Sequence, residues 1–147
     1  MSNQQRNFKS SLFLRGTQEE VLTVDEGVKR QILGFDDRIM MVRASFEENA
    51  VGYIHSHPHS QVVYVESGVF DFTIGEETQR LHAGDGTYIP PDVDHGAVWR
   101  AKGVFLELFI PSRGDFVAEK GDSKSLLLAW VGVGGRGGVV RLYEAEP

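Results

Sequence analysis

The sequence predicts an all-β domain, a sandwich or barrel built from short strands. Runs rich in β-branched and aromatic residues recur from Val21 onward at a spacing of roughly ten residues, which is typical of such folds. Glycine, asparagine and charged residues separate these runs, as expected for turns. No convincing helical periodicity precedes residue 114. These three observations favour strands throughout the first three quarters of the chain.

The chain divides into three segments. Residues 1–20 are a lead-in that is loose or pairs with a sheet edge, residues 21–117 are the barrel, and residues 118–147 are a C-terminal glycine-rich extension. Glycines 68, 75, 84 and 103 mark the expected corners. The predicted strands of the barrel are Val21–Val24, Val28–Leu33, Ile39–Phe46, Gln61–Glu66, Val69–Ile74, Gly86–Ile89, Ala97–Arg100 and Val104–Ile110.

The extension has a pattern of its own. Leu126–Val131 is predicted as a short helix or strand, and Val139–Tyr143 as a terminal strand. The glycine cluster between them, residues 132–138, is similar to a phosphate-binding loop only superficially, because the lysine and hydroxyl residues of such a loop are missing. We expect it to be a flexible connector.

Composition indicates one ordinary globular domain. The chain has 147 residues, near the commonest domain size, and 41% of them are hydrophobic. It contains no cysteine, which excludes disulfides and thiolate metal sites. A net charge of -6 argues against nucleic acid or an anionic membrane surface as the main partner. No stretch resembles a signal peptide or a membrane span, so we expect a cytoplasmic protein.

Four of the five histidines lie in two short stretches, His55-Ser-His57-Pro-His59 and the region of His95. On an extended strand, alternation places His55, His57, His59 and Gln61 on one face. Imidazole suits zinc, iron, copper and nickel, and an oxygen ligand extends the range to manganese. The pattern predicts a metal site with three or four protein ligands and open positions for water or substrate. The alternative is a surface run of histidines without a metal.

These residues resemble the two sequence motifs of the cupin family. The first motif, glycine, His-x-His, glutamate and glycine, is matched by Gly52, His55, His57, Gln61 and Gly68, and the second by Gly84, Pro90 and His95. The resemblance covers residues 52–95, and the strand pattern extends it to about 21–117. It implies a double-stranded β-helix, or jelly-roll barrel, with a metal inside one open end. It also implies that the metal ligands are His55, His57, Gln61 and His95.

The chain departs from the family pattern at three positions. Gln61 stands where the family has a glutamate ligand, Asp92 where it has a glycine, and Trp99 where it has an asparagine. The amide of Gln61 is neutral, so a divalent ion would keep its full charge within the ligand set. Such a site should favour anionic substrates.

A second group of residues lies at the end of the last strong strand, in Glu107-Leu-Phe109-Ile-Pro-Ser-Arg113. Alternation places Glu107 and Phe109 on one face. Glu107 is either an acid/base that faces the barrel interior or a charged residue on the outer surface. Phe109 is either part of the wall of the pocket or a residue of the hydrophobic core. Arg113 suits a clamp for a substrate carboxylate, because its planar fork pairs with two oxygens.

The two groups together resemble the small cupins of the KdgF type, which linearise 4,5-unsaturated monouronates. The resemblance implies one divalent transition metal (zinc, nickel, manganese or iron), Glu107 and Arg113 as catalytic residues, and Phe109 and Arg113 in substrate binding. His59 is a further candidate for substrate binding at the mouth of the site. Glu107 stands where that group has an aspartate and is longer by one methylene. We also expect a homodimer, in which a segment such as residues 8–24 supplies a strand.

Three functions remain open from the sequence. The first is this non-redox conversion of a small sugar acid, and the second is a metal-dependent dioxygenase or other oxidoreductase on the same barrel. The third is a cupin that binds a metal or ligand without catalysis. Glu107 and Arg113 discriminate between them, because the first function requires both side chains to face the cavity near the metal.

Overall fold

A computed structural model describes residues 8–121, 127–132 and 138–143, with side chains for residues 8–117. The described chain is mostly β-structure, which confirms the predicted fold class, and one short helix, α1 (Gly114–Gly121), follows the barrel. No helix in these ranges is both long and apolar enough to cross a membrane. The barrel strands are β1 (Leu22–Asp25), β2 (Val28–Phe35), β3 (Met40–Phe46), β4 (Val51–His55), β5 (Ser60–Ile74), β6 (Glu77–His82), β7 (Gly86–Ile89) and β8 (His95–Ile110).

Two long strands, β5 and β8, organise the barrel. They pair antiparallel along most of their length, within an eight-stranded sheet of order β1-β2-β3-β8-β5-β6. The first half of β8 also pairs with β4, whereas its second half pairs with β3. Likewise β7 pairs with the first half of β5 and β6 with the second. Each long strand therefore belongs to both walls of the jelly roll.

Gly68 and Gly103 lie inside these long strands, so their prediction as corners was wrong. The predicted pairs of short strands, 61–66 with 69–74 and 97–100 with 104–110, merge into β5 and β8. At the merging point the register shifts, and Gly68 has a φ of 90°. A Cβ on Gly103 would collide with the backbone oxygen of Ser67. Glycine is required there because the two backbones approach too closely for a side chain.

Strand β6 was not predicted from the sequence, and β4 was predicted only at its last residue, His55, as part of a strand expected to continue to Gln61. Five of the six residues of β6 are exposed, and the strand contains mostly polar residues, Glu77-Thr-Gln-Arg-Leu-His82. It forms because β5 offers a complementary edge in full register. Strand propensity depends on such tertiary pairing more than on local composition.

The interior contains two apolar clusters. Residues of β3 alternate strictly, with Met40, Val42, Ala44 and Phe46 buried. Phe46 stacks on Trp99 with ring centroids 3.6 Å apart, in the first cluster. The second cluster contains Phe109 and the helix residue Phe116. Burial of each large side chain contributes about 1.5–3 kcal/mol to stability.

The N-terminal segment contacts β2 of the same chain. The amide of Gln31 donates hydrogen bonds to the carbonyl oxygens of Gly16 and Glu19, at 2.7 and 3.1 Å. The backbone N–H of Ser10 donates to the carbonyl oxygen of Phe35 at 2.8 Å. These bonds attach part of the predicted lead-in to the barrel.

The extension contains an antiparallel pair of strands, β9 (Leu127–Gly132) and β10 (Gly138–Tyr143). The segment predicted as a short helix or strand is therefore a strand, and the terminal strand is confirmed. Residues 133–137 of the predicted glycine connector lie outside the described residues.

Candidate functional site

Three histidines from different parts of the barrel meet at one end of the interior. His55 is the last residue of β4, His95 is the first residue of β8, and the two are register partners across the sheet. His57 comes from the connection between β4 and β5. The ligand atoms of the three imidazoles all lie within 4.8 Å of one another. The cluster could hold a metal ion.

The predicted placement of His55, His57, His59 and Gln61 on one strand face was wrong. Strand β4 ends at His55 and β5 begins at Ser60, so the residues between them form a connection. Pro58 lacks the N–H that a ladder needs, and strict alternation ends there. The N–H of Asp92 donates to the carbonyl oxygen of His57 at 2.8 Å, which attaches this connection to the turn before His95.

Each imidazole of the cluster is oriented by a backbone carbonyl. A proton on Nδ1 would donate to that oxygen and leave the Nε2 lone pair for a metal, as in many histidine metal sites. The Nδ1 contacts are 2.7 Å from His55 to Tyr53, 3.1 Å from His57 to His59 and 2.9 Å from His95 to Val93. Nε2 of His95 is buried and has no hydrogen-bond partner among the described residues. A bound cation would satisfy this atom.

The contacts of His57 give a second reason for a cation. Its Nδ1 faces the carbonyl oxygen of His59, and its Nε2 lies 2.9 Å from Oε1 of Gln61. A neutral imidazole has one N–H, so it can donate to only one of these two oxygens. If the proton is on Nδ1, the lone pairs of Nε2 and of Oε1 face each other without a hydrogen between them, and both atoms could serve as ligands of a cation. The donor set of three imidazoles and an amide oxygen thus fits a divalent transition metal.

Burial keeps these imidazoles neutral. It lowers the pKa of His57 to about 4 and that of His95 to about 3, and it also lowers the pKa of His55. Burial disfavours the charged form, and the nearby Arg113 guanidinium further lowers the pKa of all three. The neutral form is the one that ligates metals.

Glu107 faces the interior beside this cluster. Its Oε1 accepts a hydrogen bond of 2.7 Å from Nε2 of Gln61. Burial raises the pKa of Glu107 to about 7, although the guanidinium groups of Arg30 and Arg113 and the Gln61 hydrogen bond oppose the shift. A carboxyl group that lines a cavity, has charged groups nearby and has a strongly raised pKa is typical of a functional site.

Arg113 is buried next to the same cavity and forms an ion pair with Asp115. Its Nε and Nη2 donate to Oδ1 and Oδ2 of Asp115 at 3.1 and 2.9 Å. Burial alone would raise the pKa of Asp115, but the hydrogen bonds and charge of Arg113, together with the charge of Arg30 and a backbone hydrogen bond, outweigh burial and hold that pKa below its usual range. The guanidinium carbon lies 5.4 Å from the ring centroid of Phe109. Arg113 is therefore held in one orientation.

A cavity of about 630 Å³ connects these groups. It is lined by predicted site residues from four segments of the chain, namely His55, Gln61, His95, Glu107, Phe109 and Arg113. His57 is buried behind this lining but belongs to the histidine cluster. Glu107 and Arg113 therefore both face one cavity together with potential metal ligands.

Among the lining residues that were not singled out in the sequence are Arg30, Asp115 and Phe116, which lie near Arg113. The alternation of Val28, Arg30 and Ile32 along β2 could have indicated an inward arginine, because both apolar neighbours pack in the core. The Arg113-x-Asp115 spacing, at the start of α1, could have indicated the ion pair.

His59 lies beside the histidine cluster. Its ring centroid is 5.3 Å from that of His57, and its carbonyl oxygen faces Nδ1 of His57. Within the described part of the chain it belongs neither to the cluster of His55, His57 and His95 nor to the cavity lining. A role in substrate binding stays a prediction.

The jelly-roll barrel with histidines from two motifs at one open end defines a cupin. The family model described as "Cupin domain" matches residues 42–110. The pectin degradation protein KdgF of Dickeya dadantii (strain 3937) is 36% identical over 94 residues, which cover 63% of this chain and 86% of that protein. The chain therefore belongs to the cupin superfamily, and within it is KdgF-like.

Solved structures show the same relationship. An RmlC-like cupin from Shewanella frigidimarina NCIMB 400 has 42% sequence identity and a TM-score of 0.73, over 74% of this chain and 98% of that one. KdgF from Halomonas sp. has 32% identity and a TM-score of 0.68, over 73% of this chain and 98% of that one. Both similarities extend over nearly the whole of the related protein.

Proposed function

We propose that this protein is a metal-dependent enzyme that opens the ring of an unsaturated uronate sugar. The observation that carries the proposal is the side chain of Gln61, which contacts both His57 of the histidine cluster and Glu107. It places a carboxyl group beside the potential metal ligands, inside a cavity that Arg113 also lines. The similarity to KdgF, a pectin degradation protein, supports the same substrate class.

The metal would be held by His55, His57, His95 and the amide oxygen of Gln61. Zinc, nickel, manganese and iron all suit these donors. When bound, the ion supplies Lewis-acid polarisation of substrate oxygens, without a redox change.

The protein's own residues then orient the substrate and move one proton. Arg113 binds the uronate carboxylate through donors other than the Nε and Nη2 bonds to Asp115. Phe109, which is buried, forms a wall against the sugar ring. Fixing the substrate in this way supplies the orientation that the reaction needs.

Glu107 is the general acid/base in this proposal. It accepts the proton of the hemiacetal hydroxyl as the bond between C1 and the ring oxygen breaks, which yields an aldehyde and an enolate. It then returns that proton to the carbon of the enolate, C4, which gives the keto acid. The reaction is an isomerisation, so no atoms or electrons are gained or lost.

The experiment is to incubate metal-loaded protein with a 4,5-unsaturated monouronate and to follow the ultraviolet absorbance of the conjugated double bond. Loss of absorbance that requires protein, with an isomeric keto acid as product, supports the proposal. No loss with any of the four metals, despite binding of the sugar acid, would favour a non-catalytic binding protein. Consumption of oxygen in the presence of Fe(II) would favour a dioxygenase.

We further propose a homodimer in which the segment of residues 8–24 contacts a second copy. Leu12 and Phe13 in this segment are 92% and 84% exposed, which is unfavourable for large apolar side chains in water. Sedimentation of the wild-type protein at micromolar concentration should show a dimer, and a variant with Leu12→Glu and Phe13→Glu should sediment as a monomer. A monomeric wild-type protein would refute this proposal.

A further inference from the structure

We infer that the outer face of one barrel wall binds a second copy of this chain, an inference that rests on the proposed homodimer and names the surface through which it forms. This wall contains β3, β7 and the halves of β5 and β8 that pair with them. Strand register places four large apolar residues side by side across these strands, Met41, Leu108, Val62 and Tyr88. We call this row, together with its neighbours Tyr64, Leu106 and Ile110, the outer apolar patch.

The residues of the outer apolar patch point away from the barrel interior. Their neighbours along the strands, such as Val42, Val63 and Phe109, are buried, and side-chain direction alternates along a strand. Three patch residues are half-buried. The other four are 45–59% exposed, namely Val62, Tyr64, Ile110 and Tyr88. Single apolar residues on a surface are ordinary, but a contiguous group of this kind is typical of a protein interaction site.

Charge favours a second copy of this chain as the occupant of the patch. The chain has a net charge of -6, so two copies repel each other at long range. The patch residues are uncharged, and the charged residues at its border, Arg43 and Glu66, form an ion pair at 3.6 Å. Two copies can therefore meet at this face without a repulsion of like charges from the patch.

The size of the patch indicates that the N-terminal segment belongs to the same interface. Four strands about 4.8 Å apart and five residues of β8 enclose about 14 Å by 14 Å, a flat area on the order of 200 Å². A stable interface buries about 800 Å² on each partner. Hydrogen bonds of Ser10 and Gly16 attach the segment to β2, which is paired with β3. Leu12 and Phe13 lie between these two attachments, so their exposed side chains supply further apolar area beside the patch.

The test is sedimentation of the full-length protein over a range of micromolar concentrations. Tyr64→Lys places a charge in the patch. Tyr53→Lys, on β4 in the other wall, is the matched control, because both tyrosines are 50% exposed. Val62→Thr replaces one methyl group by a hydroxyl group and retains strand propensity, so it serves if Tyr64→Lys does not fold. The melting temperature of each protein is measured at several protein concentrations.

We expect the wild-type protein and Tyr53→Lys to sediment as dimers whose melting temperature rises with protein concentration. Tyr64→Lys should raise the dimer dissociation constant at least about tenfold, because a charge would be buried without a partner. Val62→Thr should raise it at least about threefold, because a buried methyl group is lost from each copy.

A dimeric wild-type protein with unchanged dissociation constants in Tyr64→Lys and Val62→Thr overturns the inference, and the homodimer is then decided by the variant with Leu12→Glu and Phe13→Glu. If Tyr64→Lys does not fold, an unchanged constant in Val62→Thr is sufficient to overturn it. An equal rise of the dissociation constant in Tyr53→Lys also overturns it, because the effect is then not specific to the patch. A monomeric wild-type protein overturns both the inference and the homodimer.

Discussion

The amide nitrogen of Gln61 lies 2.7 Å from Oε1 of Glu107 and donates a hydrogen bond to it. The oxygen of the same amide lies 2.9 Å from Nε2 of His57. One side chain thus presents an oxygen to the histidine cluster and an N–H to the proposed acid/base. A carboxylate at position 61 could serve the first contact but could not donate to Glu107.

Replacement of Gln61 by glutamate should separate these two contacts. We expect Gln61→Glu to retain metal, because a carboxylate is a good ligand, but to lower kcat at least about tenfold, since a hydrogen bond to a charged group contributes about 1.5–3 kcal/mol. Repulsion between the two carboxylates adds to the loss. Steady-state kinetics and elemental analysis measure the two effects. Gln79→Glu, on the exposed strand β6, is the control, and an unchanged kcat in Gln61→Glu would contradict the positioning role.

His57 is the most buried member of its connection, at 3% exposure, so its loss should be severe for metal binding. We expect His57→Ala to lose most of the bound metal and, with it, the rise in melting temperature that the metal confers on the native state. Elemental analysis and thermal unfolding with and without a chelator measure both. His82→Ala removes an exposed histidine as the control. Unchanged metal content in His57→Ala would show that the metal site does not include His57 and would contradict the site as described.

Arg113 should affect the substrate rather than the metal. We expect Arg113→Ala to weaken uronate binding at least about tenfold, because a charge-assisted hydrogen bond is lost, with metal content unchanged. Binding of the uronate and of its uncharged carboxamide is compared in wild type and variant. If the wild-type protein binds both compounds with equal affinity, Arg113 does not recognise the carboxylate.

Gly103 gives a prediction about stability. A Cβ at this position would collide with the Ser67 backbone oxygen and lie 2.7 Å from Cα of Gly68, so the backbones of β5 and β8 would have to separate. We expect Gly103→Ala to lower the free energy of unfolding by at least about 1–3 kcal/mol, as overpacking does. Urea denaturation measures the change. Gly114→Ala is the control, because a Cβ there meets nothing within 4 Å. Equal stability of the two variants would contradict the close approach of β5 and β8 at Gly103.

Asp71 connects three strands through ion pairs with Arg80 and Arg100, at 2.8 and 2.6 Å. Hydrogen bonds from Arg80, and then from Arg100, hold the pKa of Asp71 well below its usual range. A depressed pKa in the folded state stabilises the protein above the unfolded pKa of about 3.9. That contribution is lost as the pH falls through the lower folded value.

We therefore expect Asp71→Asn to have a slightly lower melting temperature than the wild type at neutral pH, and this difference to shrink as the medium is acidified below the unfolded pKa. Thermal unfolding of both proteins across that range measures it. A difference that is the same at neutral and acidic pH would show that the carboxylate charge does not contribute.

Several features of the fold and of the candidate site could be predicted from local patterns. The alternation of Met40, Val42, Ala44 and Phe46 indicated a strand, and the structure shows β3 there. The two histidine motifs indicated the cupin superfamily, and the family model and the KdgF relatives show it. Such predictions succeed because side-chain periodicity and ligand chemistry are properties of short segments.

Other features depended on contacts between distant segments. Gly68 and Gly103 looked like strand ends, but their role follows from the close approach of β5 to β8. His57 was expected on the strand face of His55, yet it reaches the cluster from a connection that begins where β4 stops. Local alternation gives the direction of a side chain only while the strand continues.

The sequence by itself determined the all-β class, the superfamily and the chemical types of the candidate ligands. Only the tertiary structure decided that Arg30 of β2 and Arg113 contact one ring, Phe116 of α1, and that Arg113 pairs with Asp115. The reason is physical: these contacts depend on how the barrel closes and on strand register. No segment shorter than the whole barrel contains that information.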